Sequence, residues 1–511
     1  MNTVNHSITS RDDKWREELR AAIPTRERTA IPRAKMPEVD AAYRITCEDE
    51  VNQGLSLEQA VLEARRCLDC PDPGCVKGCP VHNNIPGFIK NIERRNFKMA
   101  LEVLDETTVL PAVCGRVCPQ EKQCEASCIY NKMKKPPVSI GNLERFTADV
   151  NRAMARMGAT VPSAVAEAPE VVEEPVPVRQ APLISIKIAV VGSGPSGLAF
   201  AGDMAKRGYN VTVFEALHQF GGVLKYGIPE FCLPNAVVEY EIEKLRASGV
   251  ELVKDCFVGK TFSYDQLHEM GFKGIYIATG AGKPRFMGIP GENLPGVMTA
   301  NEYLIRLNLL KSKIYGVNST SLNEKHVAVI GGGNTAMDAV RYARRLGAKR
   351  AMIVYRRSED EMPARVEEIR HAREEGVEFL TLHNPVEYLA DENGFLRAMR
   401  LQRMELGEPD STGRRSPVPV EGDIVEVPVD LVVVSVGSLP NPPKSLPDLE
   451  MTRQGGIVVD NASMKSSASC IYAGGDIVRG PATVILAMGD GRRAAQAMHE
   501  AFLRKLEQIE L

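Results

Sequence analysis

Twice in 511 residues a short Val/Ile-rich run breaks into a glycine turn and continues as a helix, which limits the chain to folds built around parallel sheets. The first unit reads IKIAVVGSGPSG, then LAFAGDMAKRG, then YNVTVFE; the second reads HVAVIGGGNTAMDAVRYARRLGAKRAMIVYRR. Further runs of the same kind (GIYIATG, DLVVVSVG, CIYAGGD) alternate with helical segments, so the expected class is α/β with two doubly wound, Rossmann-like sheets. The second unit falls between parts of the first, which predicts one nucleotide domain (301–434) inserted in another (186–300 and 435–511).

In the first unit Gly192, Gly194 and Gly197 let the backbone approach a pyrophosphate at a helix N-terminus, with Pro195 and Ser196 in the same turn. Glu215, which ends the next strand, stands where a carboxylate can hold ribose hydroxyls. With the later segment IYAGGD, in which Gly475 and Asp476 could meet a ribityl chain, these residues favour FAD; the loop GGVLKYGIP adds Gly221, Gly222 and Leu224 beside the ring. The second unit carries Gly331, Gly333, Asn334 and Thr335, and its second strand ends in Arg356 and Arg357 instead of an acid. A guanidinium there can bind a 2′-phosphate that an acid would repel, so NADPH is the expected coenzyme.

Nine of the twelve cysteines precede residue 130, in a region (1–157) whose apolar residues recur at three- and four-residue spacing and predict a helical domain. Eight of them form two runs, CLDCPDPGCVKGCP and CGRVCPQEKQCEASC. Zinc and disulfides are both conceivable from cysteine counting alone. Electron-carrying iron–sulfur clusters are the better account beside a flavin, and the cysteine followed by proline warns that the two runs interleave. Counting cysteines alone makes Cys114 a ligand. A Pro/Glu-rich stretch (158–185) reads as a linker whose role is open.

Net charge is −3 and no apolar run approaches membrane length, so neither nucleic acid nor membrane is an expected partner. MNTVNHSITSRDDKW has no secretory character, which predicts a cytoplasmic protein.

These motifs, together with GCPVHNNIPGFI, GNLERF, VYRRSEDEMPA and YAGGDIVRGPATVILAMGDG, resemble the small subunit of NADPH-dependent glutamate synthase and the flavoprotein modules of dihydropyrimidine dehydrogenase and bifurcating ferredoxin:NADP oxidoreductases. The resemblance implies two [4Fe–4S] clusters, one on Cys67, Cys70, Cys75 and Cys128, the other on Cys79, Cys118, Cys124 and Glu144, with Cys114 a spare thiol. That conflicts with the cysteine count at Cys114 and Glu144. It further implies an oxidoreductase passing electrons from NADPH through FAD to the clusters and on to a large synthase subunit that forms glutamate from glutamine and 2-oxoglutarate. The alternative acceptor is that of a ferredoxin:NADP oxidoreductase or dihydropyrimidine dehydrogenase complex; a non-turning NADPH sensor is a third possibility. Such a relay requires no acid–base dyad or nucleophile, so no catalytic residue is assigned.

Overall fold

The computed structural model describes residues 8–157, 184–310, 321–410, 413–440, 442 and 449–507. Nearly all of the expected linker (158–185) lies outside these residues.

The N-terminal part is helical. Its longest helix, Ile140–Met157, packs on Pro111–Val117, and the approach is backbone to backbone: a Cβ on Gly115 would sit 2.5 Å from the Arg145 nitrogen. Leu104, Val113 and Leu143 are fully buried here; truncating such a leucine to alanine costs about 2–5 kcal/mol.

Strands β1 (Lys187–Val191), β2 (Asn210–Phe214), β3 (Glu251–Val253) and β4 (Phe272–Ile277) are followed by a short β5 (Lys283–Pro284). Then come β6 (Val297–Thr299), β7 (His326–Ile330), β8 (Arg350–Tyr355), β9 (Glu378–Thr381), β10 (His383–Ala390), β11 (Leu396–Pro409), β12 (Arg415–Pro428), β13 (Leu431–Val434), β14 (Ser438–Leu439) and β15 (Ile471–Ala473). One parallel sheet runs β15-β4-β1-β2-β3 and another β6-β13-β7-β8-β9. The Val/Ile-rich strands are buried on both faces, as parallel sheets require. Because β15 returns to the first sheet after the second is complete, the second is an insertion; antiparallel β5 and β14 pair where the chain leaves and re-enters.

The reading of the sequence did not anticipate the three-stranded antiparallel sheet β10-β11-β12 between β9 and β13. Its long strands carry charged residues toward water, so their apolar signal is half that of a parallel strand.

The helical part is not a loose appendage. Its core is continuous with Leu198, Leu224, Val237, Ile242 and Met488 of the first nucleotide body. Val51 of the helical part joins Phe231 in the core of the second.

Candidate functional site

The two cysteine runs interleave because glycines let their backbones touch. A Cβ on Gly74 would come 2.5 Å from the Ser127 carbonyl oxygen, and one on Gly78 would come 2.6 Å from its hydroxyl. Both clashes explain why the first run can lie against the second. The result is two chambers. Cys67, Cys70, Cys75 and Cys128 line one pocket whose other walls, Ile85, Ile89 and Ile140 among them, are apolar. Cys79, Cys118 and Cys124 share a second neighbourhood with Glu144, whose carboxylate raises the pKa of all three.

These seven cysteines and Cys114 are all free thiols. Burial pushes Cys67 and Cys79 up to about 11; Cys118 is driven well above its ordinary value by a hydrogen bond with Cys114 and by burial, and Cys124 by burial. Four such thiolates in one chamber are costly to form unless a cationic group takes up their charge. A single zinc would draw its sulfurs to within ~4 Å of one another. Among the described residues, the groups of three or more ligand atoms within 4.8 Å are Glu38–Glu367–His371 and Cys232–Asp338–Glu368, and none of the eight cysteines belongs to either. A chamber lined by four cysteines and otherwise by apolar side chains fits a thiolate-held iron–sulfur cluster.

At the disputed pair both side chains stand beside Cys79 and Cys118, and they differ in their other partners. Glu144 is 7% exposed, its Oε1 has no hydrogen-bond partner, and burial together with the charge of Glu241 pushes it up to about 8. Such an orphaned carboxylate oxygen fits a ligand. Cys114, fully buried, instead donates from Sγ to the Met488 sulfur at 3.5 Å and lies 3.9 Å from the Thr108 hydroxyl.

Met488 belongs to the helix Val484–Glu507, which touches both the cysteine segment and the first glycine turn. A Cβ on Gly489 would stand 3.0 Å from the Pro80 carbonyl oxygen, and one on Gly491 would overlap the Ser196 carbonyl oxygen. Asp490 on the same helix, which was not singled out from the sequence, is fully buried and accepts from the Gly475 N–H at 2.9 Å and from Arg479 at 2.8 Å. It fixes the turn that presents Asp476, whose carboxyl burial pushes up to about 6.

At the first turn Gly192 has φ 103°, and Gly194 caps the helix Pro195–Lys206 with open space where a Cβ would be. Glu215 is more occupied than expected: it accepts from the Ser193 N–H and hydroxyl at 3.0 and 2.6 Å and from the Leu217 N–H at 2.9 Å. Its first task is therefore to hold the turn. The Ser193 hydroxyl accepts from the Gly221 N–H at 2.9 Å, which docks the loop carrying Gly222. Leu224 points into the core, fully buried.

At the second turn Gly331 has φ 144°, and Gly333 caps the helix Asn334–Arg345, leaving Asn334 and Thr335 exposed. The two arginines part company. Arg356 is exposed, whereas Arg357 is 5% exposed and pairs with Asp410 at 2.7 Å while donating to the Arg415 carbonyl at 2.7 Å. Asp410 lies at the tip of the unanticipated sheet, and no local sequence pattern connects it to Arg357.

Two parallel nucleotide sheets, one inserted in the other and joined to a cysteine-bearing helical part, define a class: a pyridine nucleotide-disulphide oxidoreductase fused to an iron–sulfur domain. Residues 186–491 match the pyridine nucleotide-disulphide oxidoreductase family, and residues 44–156 match dihydropyrimidine dehydrogenase domain II, 4Fe-4S cluster. The chain is 35% identical to the glutamate synthase [NADPH] small chain of Azospirillum brasilense over 90% of its own length and 92% of that protein. It is also 37% identical to the NADP(+)-dependent formate dehydrogenase subunit beta of Moorella thermoacetica, over 84% of this chain and 60% of that one. FprA from Mycobacterium tuberculosis shares the fold with a TM-score of 0.55 at 23% identity, covering 64% of this chain and 87% of that one. The chain belongs to the family of glutamate synthase NADPH small chains. Among the described residues no helix is long and apolar enough to cross a membrane.

Proposed function

We propose that the protein is the electron-input subunit of a glutamate synthase, taking electrons from NADPH and delivering them through FAD and two [4Fe–4S] clusters to a large subunit that forms glutamate from glutamine and 2-oxoglutarate. The observation that carries this reading is the helix Val484–Glu507: Gly491 meets the first glycine turn at Ser196, while Gly489 and Met488 meet Pro80 and Cys114 beside the second chamber. A flavin supplies the conversion of an electron pair into single electrons, and clusters carry those electrons away. The chain's own residues do the positioning. Gly194 and the N-terminus of Pro195–Lys206 receive a pyrophosphate, Asp476 faces the ribityl side, and Asn334 with Arg356 receives the coenzyme. Cys67, Cys70, Cys75 and Cys128 hold one cluster; Cys79, Cys118, Cys124 and Glu144 hold the other. The first pocket borders the half-buried Cys70 and Cys75, which makes that side the natural exit toward a partner.

Anaerobically purified chain is expected to contain about eight iron and eight acid-labile sulfur, and stoichiometric zinc would overturn the cluster reading. Cys118→Ala is expected to lose one cluster and Cys114→Ala neither. NADPH is expected to bleach the flavin and clusters of the isolated chain and to support ferricyanide reduction, with glutamate formed only when the large subunit is added. The likeness to a formate dehydrogenase subunit at comparable identity favours a second acceptor class: failure of the large subunit to restore glutamate formation, with reduction of ferredoxin or a pyrimidine by another partner, selects it.

A further inference from the structure

Arg365 ends the segment VYRRSEDEMPAR, beyond Arg356, which is assigned to coenzyme, and Arg357, which is held by Asp410, and its side chain reaches into the helical part. It is 8% exposed. Nη1 donates to the Arg116 carbonyl at 2.7 Å and Nη2 to the Gln120 side-chain oxygen at 3.0 Å, so the guanidinium is gripped by the two residues that flank Cys118 at equal spacing. Its acidic neighbours are Glu367, which accepts from Nη2 at 3.2 Å, Glu368, whose charge also acts on it, and Glu121, 3.8 Å from an Nε that has no hydrogen bond. Gln120 is itself a hub of the second chamber. Its N–H bonds the Cys118 carbonyl at 2.9 Å, and its side chain fills the space over Gly141, one turn before Glu144.

The backbone of the same residue is tied to the other site. The Arg365 N–H donates to the Asn334 side-chain oxygen at 2.8 Å, and the Ala364 N–H donates to the Gly332 carbonyl at 3.1 Å; Lys122 adds bonds to the Pro363 and Ala364 carbonyls at 2.7 and 3.0 Å. One residue therefore joins the turn that receives coenzyme to the loop that carries Cys118. A buried cation beside a cluster favours its reduced state, since cluster potentials follow local charge and hydrogen bonding. Coenzyme phosphates at the helix N-terminus oppose that field.

We propose that Arg365 is a positioning residue that sets the reduction potential of the cluster on Cys79, Cys118, Cys124 and Glu144 and makes that potential sensitive to coenzyme at the second glycine turn. This rests on the cluster reading above. Coupling of this kind is reciprocal: if bound dinucleotide lowers the potential, reduction of the cluster weakens dinucleotide binding by the same factor, and a tenfold weakening equals about 59 mV for one electron. Reduction would thus help to release the oxidised coenzyme.

The test uses the cluster-loaded full chain and 2′-phospho-ADP-ribose, a dinucleotide fragment without nicotinamide that cannot exchange hydride. An anaerobic redox titration followed by EPR is expected to show one cluster's midpoint falling when the fragment is added, with the other unmoved. In Arg365→Gln that cluster's starting midpoint is expected to be lower and the fragment-induced shift at least halved; Arg365→Lys is expected to recover the midpoint, because the charge is kept, but not the full shift, because a single ammonium cannot span both acceptors. Wild-type midpoints that ignore the fragment overturn the proposal regardless of any variant. Unchanged midpoints in Arg365→Gln overturn it as well. Should Arg365→Gln lose iron, Arg365→Lys decides alone through the shift. Absence of iron from the wild-type chain is a different result, and it removes the cluster reading itself.

Discussion

At the first glycine turn Pro195, Ser196 and Gly197 are all buried, Glu215 is spent on the turn itself, and the helix Val484–Glu507 closes over Ser196. At the second, the equivalent residues Asn334 and Thr335 face solvent and only Ala336 is buried. The same strand–turn–helix physics makes both sites receptive to a pyrophosphate. Their surroundings decide how long a dinucleotide stays. A site roofed by other elements keeps its group between turnovers, and an open one exchanges it, which is the division of labour between a prosthetic flavin and a coenzyme. The third motif position sharpens the contrast. A Cβ on Gly197 would overlap the Gly192 carbonyl oxygen, whereas the second turn already carries a methyl there, on Ala336.

The largest effect is expected from exploiting that position. In Gly197→Ala the added methyl must displace backbone, at a cost of about 1–3 kcal/mol or more, in the turn proposed to receive the flavin's pyrophosphate, so the purified chain is expected to lack flavin absorbance after gel filtration. Ala336→Gly is expected to cost about 1 kcal/mol of helix stability and leave flavin content untouched. Full flavin retention in Gly197→Ala would erase the distinction drawn between the two turns.

Next in size is the coenzyme's 2′-phosphate. Sequence alone made Arg356 and Arg357 equivalent; the structure leaves only Arg356 in the open. Arg356→Ala is expected to weaken discrimination for NADPH over NADH by roughly 1.5–3 kcal/mol, the loss of one charged hydrogen-bonded contact, measured as the ratio of the two kcat/KM values. Arg357→Ala removes the partner of Asp410 and is expected to lower the urea midpoint more than it changes that ratio. The reverse ranking would show that Arg357 leaves Asp410 to meet the coenzyme.

How far these sites could be read from sequence follows from which residues act locally. The glycine turns, their strands and the helix that follows each one lie within about thirty residues, where periodicity and turn chemistry speak directly. The cysteine spacing announced metal and the cysteine–proline step announced interleaving, but which cysteine of one run stands with which of the other depends on glycines at 74 and 78 that let the backbones touch, and a particular set came only from the family resemblance. Asp490, Ser193, Gln120 and Arg365 went unnoticed because each acts on a partner chosen by the fold: Arg365 and Gln120 are 245 positions apart. The β10-β11-β12 sheet is hard to see in the sequence for a related reason: its strands alternate charged and apolar residues and lack the continuous apolar runs of the parallel strands.

The smallest expected effect tests whether the roofed site is also strained when empty. Burial, reinforced by the charge of Asp490, pushes Asp476 up to about 6, against partial relief from the Ala482 N–H and Arg479. A carboxyl with a raised folded-state pKa stabilises the fold fully below its unfolded value, near 4, and that contribution is lost as pH rises through about 6. Flavin-free chain is therefore expected to lose urea stability between pH 5 and pH 7, and Asp476→Asn, which carries no titrating proton, is expected to show a shallower decline. In flavin-loaded chain a ribityl hydroxyl donating to the carboxylate would favour the charged form, so the wild type and the variant are expected to converge in slope. Parallel slopes in the flavin-free proteins would mean that Asp476 ionises as it does in water, and that the empty flavin site is no less comfortable for a charge than the open turn at Asn334.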